Sequence, residues 1–227
     1  AEALAKGSRR RTNPFDGPID QGVLLDAVIL ARRPGTLGLL TESRLVTNFP
    51  GLRSSLPRYY AGLHVLELLR EFIRGGTRSG LFELAVATLY TIEEGKGLSP
   101  ILAAFTLHLL RESGFSVATD LCAGCNRALR EGEAAGFSPR LGGFTCAACA
   151  PLKSGGEPGL RGLFRTLARS APAPAGRIQI PKALEAGMWN LIGEFLVHVL
   201  ERPPRVLAYV SGLRRVSGAP QEKTPTT

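Results

Sequence analysis

The sequence predicts an α+β protein in which a short β-region precedes a mainly helical domain with an inserted four-cysteine segment. Three observations carry this prediction. Apolar residues alternate near the N-terminus, they recur at helical spacing from about residue 53, and all four cysteines fall between residues 121 and 150. With 227 residues and 44% hydrophobic content, the chain can fill a real core.

The β-region contains one recognisable hairpin. Residues 1–20 are polar, basic and interrupted by glycine and proline, which favours loop with strand remnants. The stretch GVLLDAVILARRPGTLGLLTESRLV then predicts two strands, 23–31 and 37–46, joined by a turn at 32–35. One hairpin is too small to be stable alone, so further strands or a packed helix must complete it.

Three helices with short connections follow and predict a bundle. The first ends at the glycine pair 75–76, and its predicted buried stripe is Leu63, Leu66, Leu69 and Ile73. The second ends at Gly95, and its predicted stripe is Leu81, Ala85, Leu89 and Ile92. The third is predicted to begin with Ser99 as N-cap and Pro100 as first helical residue, and to end at Gly114.

Two further helices are predicted beyond the cysteines. GLRGLFRTLARS forms one, a linker-like APAPAG follows, and PKALEAGMWNLIGEFLVHVL forms the other before the prolines at 203–204 end it. The residues predicted to face the core from this last helix are Leu184, Met188, Leu191, Ile192, Phe195 and Val199. The predicted domains are 1–50, 51–212 with the cysteine insertion at 120–150, and a disordered tail at 213–227.

The four cysteines form two matched pairs that predict one structural zinc ion. Cys122 and Cys125 make one C-x2-C, and Cys146 and Cys149 make another after 20 intervening residues. Two such knuckles supply four thiolates in a tetrahedron at about 2.3 Å from Zn²⁺, which leaves no position for water or substrate. Glycines that allow tight turns lie beside both pairs: Gly124, Gly142 and Gly143.

The spacing of the cysteines leaves other uses of these residues open. A disulfide pair suits an oxidising compartment, for which the sequence carries no address. A thioredoxin-type motif needs one reactive C-x-x-C in a βαβ setting, not two matched pairs. A partly occupied or oxidised zinc site is the remaining alternative.

The positive charge is uneven and favours a polyanionic partner. Lys and Arg outnumber Asp and Glu by nine to five over residues 1–60 and by eleven to five over 153–227, whereas residues 61–152 hold eight against nine. Clustered cations displace the counterions condensed on phosphate backbones. The candidate nucleic-acid contacts are Lys6, Arg9, Arg10, Arg11, Arg32 and Arg33. A solvated basic surface run explains the same residues equally well.

Catalytic signatures are missing from the sequence, which predicts a protein that is not an enzyme. The histidines at 64, 108 and 198 have no second ligand at helical spacing and fit partly buried helix positions. The glutamates at 93–94, 131 and 133 fit solvated faces. No glycine-rich phosphate loop is found.

Three aromatic residues are candidates for stacking on nucleobases: Phe137, Phe144 and Tyr209. Every base presents a π face, so an exposed aromatic ring binds single strands with little sequence preference. An aromatic residue beside a zinc knuckle more often belongs to its small core, which is the favoured interpretation.

The sequence also bears on location. The longest apolar runs fall short of the roughly 18 residues that cross a bilayer, and no basic start leads into a cleavable apolar segment. We therefore expect a soluble, cytoplasmic protein with no membrane partner. Because the chain opens at AEALAKGS without Met, we expect an N-terminal piece to be absent.

The order of these motifs resembles the RecO family of bacterial recombination mediators. AFTLHLLRESGF, LCAGC and GFSPRLGGFTCAAC follow one another as in the helical domain of that family. Upstream, ALAKGSRRRTNPFDG resembles a segment of the family's N-terminal OB-fold, and LLTESRLVTNFPGLRSSLPRYYAGLHVLELL resembles its last strand and first helices. The likeness covers residues 4–150 and continues weakly to about 210.

The resemblance implies a non-catalytic DNA-repair protein associated with the nucleoid. Such a protein binds single- and double-stranded DNA, anneals strands coated by single-strand DNA-binding protein, and works with RecR to load RecA. Residues 1–50 would be a partial OB-fold, because the family's barrel has five strands and the earliest are not in this sequence. The segment HVLERPPRVLAYV replaces a more basic family segment, which leaves a DNA contact there open.

Two other functions stay open. The zinc could fold a protein-interaction module without annealing activity, or the chain could be a zinc-ribbon nucleic-acid-modifying enzyme. The enzyme would need a carboxylate cluster or an open metal position, which the sequence does not show. Salt-dependent DNA binding separates a docking module from an annealing protein.

Overall fold

The computed structural model describes residues 3–8, 15–30, 37–73, 79–95, 97–133, 135–149 and 156–211. The predicted turn at 32–35, the glycine pair at 75–76 and the tail at 213–227 lie outside these residues. The chain divides into two compact units, Ala1–Pro50 and Gly51–Thr227. Among the described helices, none combines the length and the apolar character that crossing a bilayer requires.

The N-terminal unit is built on a three-stranded sheet in the order β1-β3-β2. Strand β1 is Ala3–Leu4, β2 is Leu24–Leu30 and β3 is Gly38–Thr47. The predicted hairpin is confirmed: β2 and β3 are antiparallel, with two register irregularities, and β1 adds to β3 in parallel. Leucine, valine, isoleucine and threonine make up most of β2 and β3, and β-branched residues favour the extended backbone.

The sheet of the N-terminal unit is open. In the described residues it does not close into a barrel. Strand β2 lies at one edge of the sheet, and Asp26–Leu30 is exposed on both faces of this strand, including the apolar residues Val28, Ile29 and Leu30. The OB-fold predicted for this unit is therefore not visible as a closed barrel in this part of the chain.

The second unit begins with a 3-10 turn at Pro50–Arg53 and the predicted three-helix bundle. Helix α1 is Leu56–Ile73, α2 is Ser79–Glu94 and α3 is Leu98–Glu112. Helix α3 is central because every residue from Pro100 to Leu110 except His108 is buried. The stripe predicted for α2 is confirmed, since its four members are all buried.

Two details of these helices differ from the prediction. The buried residues of α1 are Ala61, Gly62, His64, Val65 and Leu68, not the predicted leucine stripe. That helix is apolar around most of its circumference, so the sequence period cannot select the face that packs. Helix α3 begins at Leu98 after the cap residue Gly97, and the predicted Ser99 cap is wrong.

The Ser99 side chain has another role. Its hydroxyl accepts a hydrogen bond from the Trp189 indole nitrogen at 3.0 Å, which links α3 to a helix near the end of the chain. A buried indole N–H needs such an acceptor. The hydroxyl therefore serves packing between helices and does not cap one.

Four helices complete the second unit: α4 Leu160–Arg169, α5 Pro172–Ala175, α6 Lys182–Leu200 and α7 Leu207–Ser211. The predicted linker APAPAG is wrong, because it forms α5 with Pro172 and Ala175 buried. Proline tolerates the first helical turn, where its missing N–H has no partner to lose. Helix α6 buries Met188, Trp189, Leu191, Ile192, Phe195 and Leu196, whereas Leu184 and Val199 are only half-buried.

Candidate metal centre

The cysteine insertion is organised around a short antiparallel hairpin. Strand β4 is Gly136–Ser138 and β5 is Gly143–Thr145, joined by a 3-10 turn at Pro139–Leu141. The second cysteine knuckle follows β5 directly. The first lies beside β5, because the Ala123 N–H donates to the Phe144 carbonyl at 2.8 Å. Backbone hydrogen bonds thus bring together two knuckles that are distant in sequence.

The four cysteine sulfurs converge on one point. The Sγ atoms of Cys122, Cys125, Cys146 and Cys149 all lie within 4.8 Å of one another. The Sγ atoms of Cys125 and Cys146 are 3.9 Å apart. A tetrahedron with metal–sulfur bonds of about 2.3 Å has edges of about 3.8 Å. The four predicted ligands therefore have the spacing that a tetrahedral, thiophilic metal ion requires.

Backbone hydrogen bonds fix each knuckle. The Cys122 N–H donates to the Arg127 carbonyl and the Asn126 N–H to the Cys122 carbonyl, both at 2.8 Å. In the second knuckle, the Cys149 N–H donates to the Cys146 carbonyl at 3.0 Å. The Cys122 sulfur itself accepts the N–H of Cys146 at 3.2 Å. Hydrogen bonds to backbone carbonyls and to a cysteine sulfur thus hold the turns of both knuckles.

Two of the predicted glycines are required by close approach. A Cβ on Gly124 would lie 2.9 Å from the Cys149 Cβ and 3.0 Å from its sulfur. A Cβ on Gly143 would lie 2.5 Å from the Ala118 backbone nitrogen and oxygen. Real Cβ atoms do not approach other atoms so closely. A side chain at position 124 would therefore push the two knuckles apart, and one at position 143 would push β5 away from the backbone at Ala118.

Hydrogen bonds within the cluster shift the pKa values of the Cys122 and Cys149 thiols in opposite directions. Burial raises the pKa of the Cys122 thiol, but N–H donors from Cys146, Cys125 and Gly124 outweigh burial and lower this pKa to about 6. Hydrogen bonds between the Cys149 thiol and the sulfurs of Cys125, Cys146 and Cys122 raise the pKa of Cys149 to about 12, because they favour its protonated form. A thiophilic metal ion would take the place of these protons, since metals bind thiolates and release the protons.

A cluster of four phenylalanines joins the metal centre to the helices. Phe144 on β5 lies edge-to-face with Phe137 on β4 and with Phe164 on α4, with ring centroids 5.2 and 5.4 Å apart. Phe137 also meets Phe195 on α6 at 6.1 Å. All four rings are buried. The prediction that Phe137 and Phe144 belong to the small core beside the cysteine knuckles is therefore confirmed.

Arginines of α4 form a second connection, which the sequence analysis missed. The buried Arg161 donates to the carbonyls of Thr119 at 2.9 Å and of Arg130. Arg165 and Arg169 form ion pairs with acidic residues of the insertion, Asp120 and Glu131. The signal for them was present, because three arginines at a spacing of four predict one basic stripe along a helix.

Three of the four glutamates expected on solvated faces have structural partners, and one of these is Glu131, which pairs with Arg165. The Glu93 carboxylate accepts the Gly51 N–H at 2.7 Å. Glu133 forms an ion pair with Arg127, and that hydrogen bond together with the Arg130 N–H lowers the pKa of Glu133 to about 2. Glu94 and Glu131 are exposed, as expected. Neither pair is arranged as an acid and base.

The three histidines occupy different environments. His64 is completely buried, where desolvation lowers its pKa to about 4, and its Nε2 lies 3.2 Å from the Thr106 hydroxyl. His108 is half-buried, as predicted, whereas His198 is exposed, so the prediction of partial burial is wrong there. Because Thr106 donates its own hydrogen to the Leu102 carbonyl, it accepts the proton of His64 Nε2.

Of the predicted nucleic-acid contacts, the structure places only Lys6, which is exposed in the turn after β1. Arg9, Arg10, Arg11, Arg32 and Arg33 lie outside the described residues. The third aromatic candidate, Tyr209, is not part of the metal-centre core. It lies on α7, where its ring stacks on that of Tyr60.

Comparison with known proteins gives one consistent result. The family model for the C-terminal part of recombination protein O matches residues 53–208. The DNA repair protein RecO of Rhodopirellula baltica is 38% identical over 155 residues, which cover 67% of this chain and 57% of that protein. The RecO of Rubrobacter xylanophilus is 30% identical over 222 residues, 96% of this chain and 86% of its own length. The RecO of Roseiflexus sp. is 27% identical over 217 residues, 94% and 76% respectively.

Proposed function

The chain belongs to the RecO family of DNA repair proteins, and we propose that it is a DNA-binding recombination mediator. In this role it anneals complementary single strands and helps to load RecA on single strands coated with single-strand DNA-binding protein. RecR and single-strand DNA-binding protein are its proposed partners, in the cytoplasm at the nucleoid. It performs no covalent chemistry, so it needs no nucleotide.

The observation that carries this proposal is the convergence of the four cysteine sulfurs within the helical unit that matches the family. We propose that they hold one zinc ion, which supplies a fixed tetrahedral anchor and no reactive position. The knuckle hydrogen bonds, the phenylalanine cluster and Arg161 transmit that anchor to α4 and α6. Zinc is thus proposed as a structural ion.

DNA binding is proposed for the N-terminal unit. Its three strands fit part of a five-stranded OB barrel, whose curved sheet holds strands by their phosphates. Lys6 and Arg9, Arg10 and Arg11, extended by Arg32 and Arg33, would neutralise the phosphates without reading bases. Annealing follows because neutralising two backbones lowers their mutual repulsion.

A strand-annealing assay on complementary oligonucleotides coated with single-strand DNA-binding protein tests the proposal, with zinc stoichiometry measured on the same sample. We expect annealing without nucleotide and about one zinc per chain. Replacing Arg9, Arg10 and Arg11 together with Ala is expected to slow annealing at least tenfold, because three phosphate contacts are lost. Arg44→Ala is the matched control, since Arg44 is an exposed arginine of the same unit that pairs with Asp26 at 2.7 Å.

The same assay separates the alternatives. Wild-type protein that contains zinc but binds no DNA even at low salt would be a docking module and would contradict the mediator proposal. An unchanged annealing rate in the triple-arginine variant would remove those residues from the DNA-binding surface.

A further inference from the structure

Three of the four tyrosines of the chain meet on one surface of the helical unit. The rings of Tyr60 on α1 and Tyr209 on α7 are stacked, with centroids 4.4 Å apart and planes 4° from parallel. Tyr59 meets Tyr60 edge-on at 6.1 Å. Tyr59 is 44% exposed and Tyr209 is 54% exposed. We call these three residues the tyrosine cluster.

Helix α7 is attached to the helical unit by contacts other than the Tyr209 ring. The Glu67 carboxylate accepts the backbone N–H groups of Arg205 and Val206, at 2.7 and 2.9 Å, and so holds the start of α7 on α1. Val210 supplies the buried apolar contact of the same helix. Tyr209 therefore rests on Tyr60 while half of its own surface faces water.

The surroundings of the tyrosine cluster suit a phosphate backbone. Arg53, just before α1, and Arg205, just before α7, are both exposed. Two carboxylates of α1 are engaged, since Glu67 caps α7 and Glu71 forms an ion pair with Arg202 at 2.7 Å. Cations beside an exposed aromatic ring are the two elements of a single-strand binding site.

We propose that the tyrosine cluster is a base-stacking site for single-stranded DNA on the helical unit. An unpaired base stacks on the outer part of Tyr209, which Tyr60 holds in place, and the adjacent arginines contact the phosphates. The site selects single strands because the bases of a duplex are already stacked on each other. This inference rests on the proposed DNA-binding function and assigns it a second contact region, remote in sequence from the basic N-terminal residues.

The test compares full-length variants for binding to a fluorescent 20-nucleotide oligo(dT) and to a DNA hairpin duplex at the same salt concentration. We expect Tyr209→Ala to weaken oligo(dT) binding about tenfold and to leave duplex binding within about twofold, because only unpaired bases stack on the ring. Tyr209→Phe should bind oligo(dT) as the wild type does. Tyr90→Ala, which removes a tyrosine of α2 that is also 44% exposed, is the matched control and should change neither affinity.

A second measurement locates the contact directly. Ultraviolet crosslinking of oligo(dT) containing 4-thiothymidine, followed by mass spectrometry of peptides, should place crosslinks at Tyr209 or Tyr59. Unchanged oligo(dT) affinity in Tyr209→Ala, or equal losses for single strand and duplex, overturns the base-stacking site; an unchanged affinity would instead fit a protein-docking surface. Tyr209-dependent oligo(dT) binding by a wild type that does not anneal would retain this site and overturn the annealing proposal.

Discussion

The metal centre and the N-terminal sheet differ in how many interactions among their own residues hold the structure in place. In the metal centre, hydrogen bonds fix both knuckles, two glycines permit the close approach, and buried phenylalanines carry the contact into the helices. In the N-terminal sheet, the outer strand β2 exposes apolar residues on both faces. This difference leads us to predict that changes in the cysteine region destabilise the helical unit, whereas changes in the basic N-terminal residues affect the proposed DNA binding without loss of stability.

We expect the largest effect on stability from loss of the metal. Cys146→Ser is expected to abolish zinc binding and to lower the melting temperature by about 10 °C or more, because structural zinc contributes free energy directly to folding. Atomic emission and thermal unfolding measure the two effects. Adding a zinc chelator to the wild type should reproduce the destabilisation; a variant without zinc that melts at the wild-type temperature would refute the structural role.

The phenylalanine cluster is the next element to remove. Phe144→Ala is expected to lower the free energy of unfolding by about 3–5 kcal/mol, since a fully buried aromatic side chain leaves a cavity. Urea unfolding measures the difference. Phe82→Ala on α2, where the side chain is exposed, serves as control and should cost less than about 1 kcal/mol. Equal losses in the two variants would show that the cluster does not couple the metal centre to the helices.

His64 predicts a pH dependence that belongs to the helical unit. Its pKa is about 4 in the folded chain and about 6.5 when unfolded, so the unfolded chain binds more protons as the pH falls through this interval. The stability that the neutral, buried His64 contributes is fully present above pH 6.5 and is lost progressively towards pH 4. The free energy of unfolding falls by about 2 kcal/mol between pH 7 and pH 5 for this reason.

Comparing the wild type with His64→Leu separates the effect of His64 protonation from the acid release of zinc, because zinc release would affect both proteins equally. The difference in unfolding free energy between wild type and His64→Leu should shift by about 2 kcal/mol between pH 7 and pH 5. His198→Leu, at an exposed histidine of α6, should show no such shift. A pH-independent difference for His64→Leu would mean that His64 is not buried in its neutral form.

The smallest expected effect concerns Arg161. Arg161→Lys keeps the charge but cannot reach both the Thr119 and Arg130 carbonyls, so we expect a loss of about 1–2 kcal/mol in unfolding free energy. Arg177→Lys, at an exposed position, should be neutral. Equal stability of the two variants in urea would remove Arg161 from the connection between α4 and the insertion.

The cysteine site and α2 could be predicted because their signals are local. The spacing of two C-x2-C pairs predicts that their four sulfurs converge on one point, as they do, and α2 has one clear apolar stripe. The buried face of α1 could not be predicted, because apolar residues lie on most sides of that helix. The face that packs in the core includes His64 and not the predicted leucines. The stacking of Tyr209 on Tyr60 was equally invisible, since it depends on α7 folding back along α1.

We assign DNA binding to the basic N-terminal residues and stability to the cysteine region. The most direct test is the salt dependence of oligo(dT) affinity for the variant with Arg9, Arg10 and Arg11 all changed to Ala. Each lost phosphate contact lowers the slope of log affinity against log salt by about 0.7 for a single strand, so the slope should decrease by about two. The melting temperature and the zinc content should stay at the wild-type values. An unchanged slope, or a slope change accompanied by loss of zinc and stability, would contradict the account.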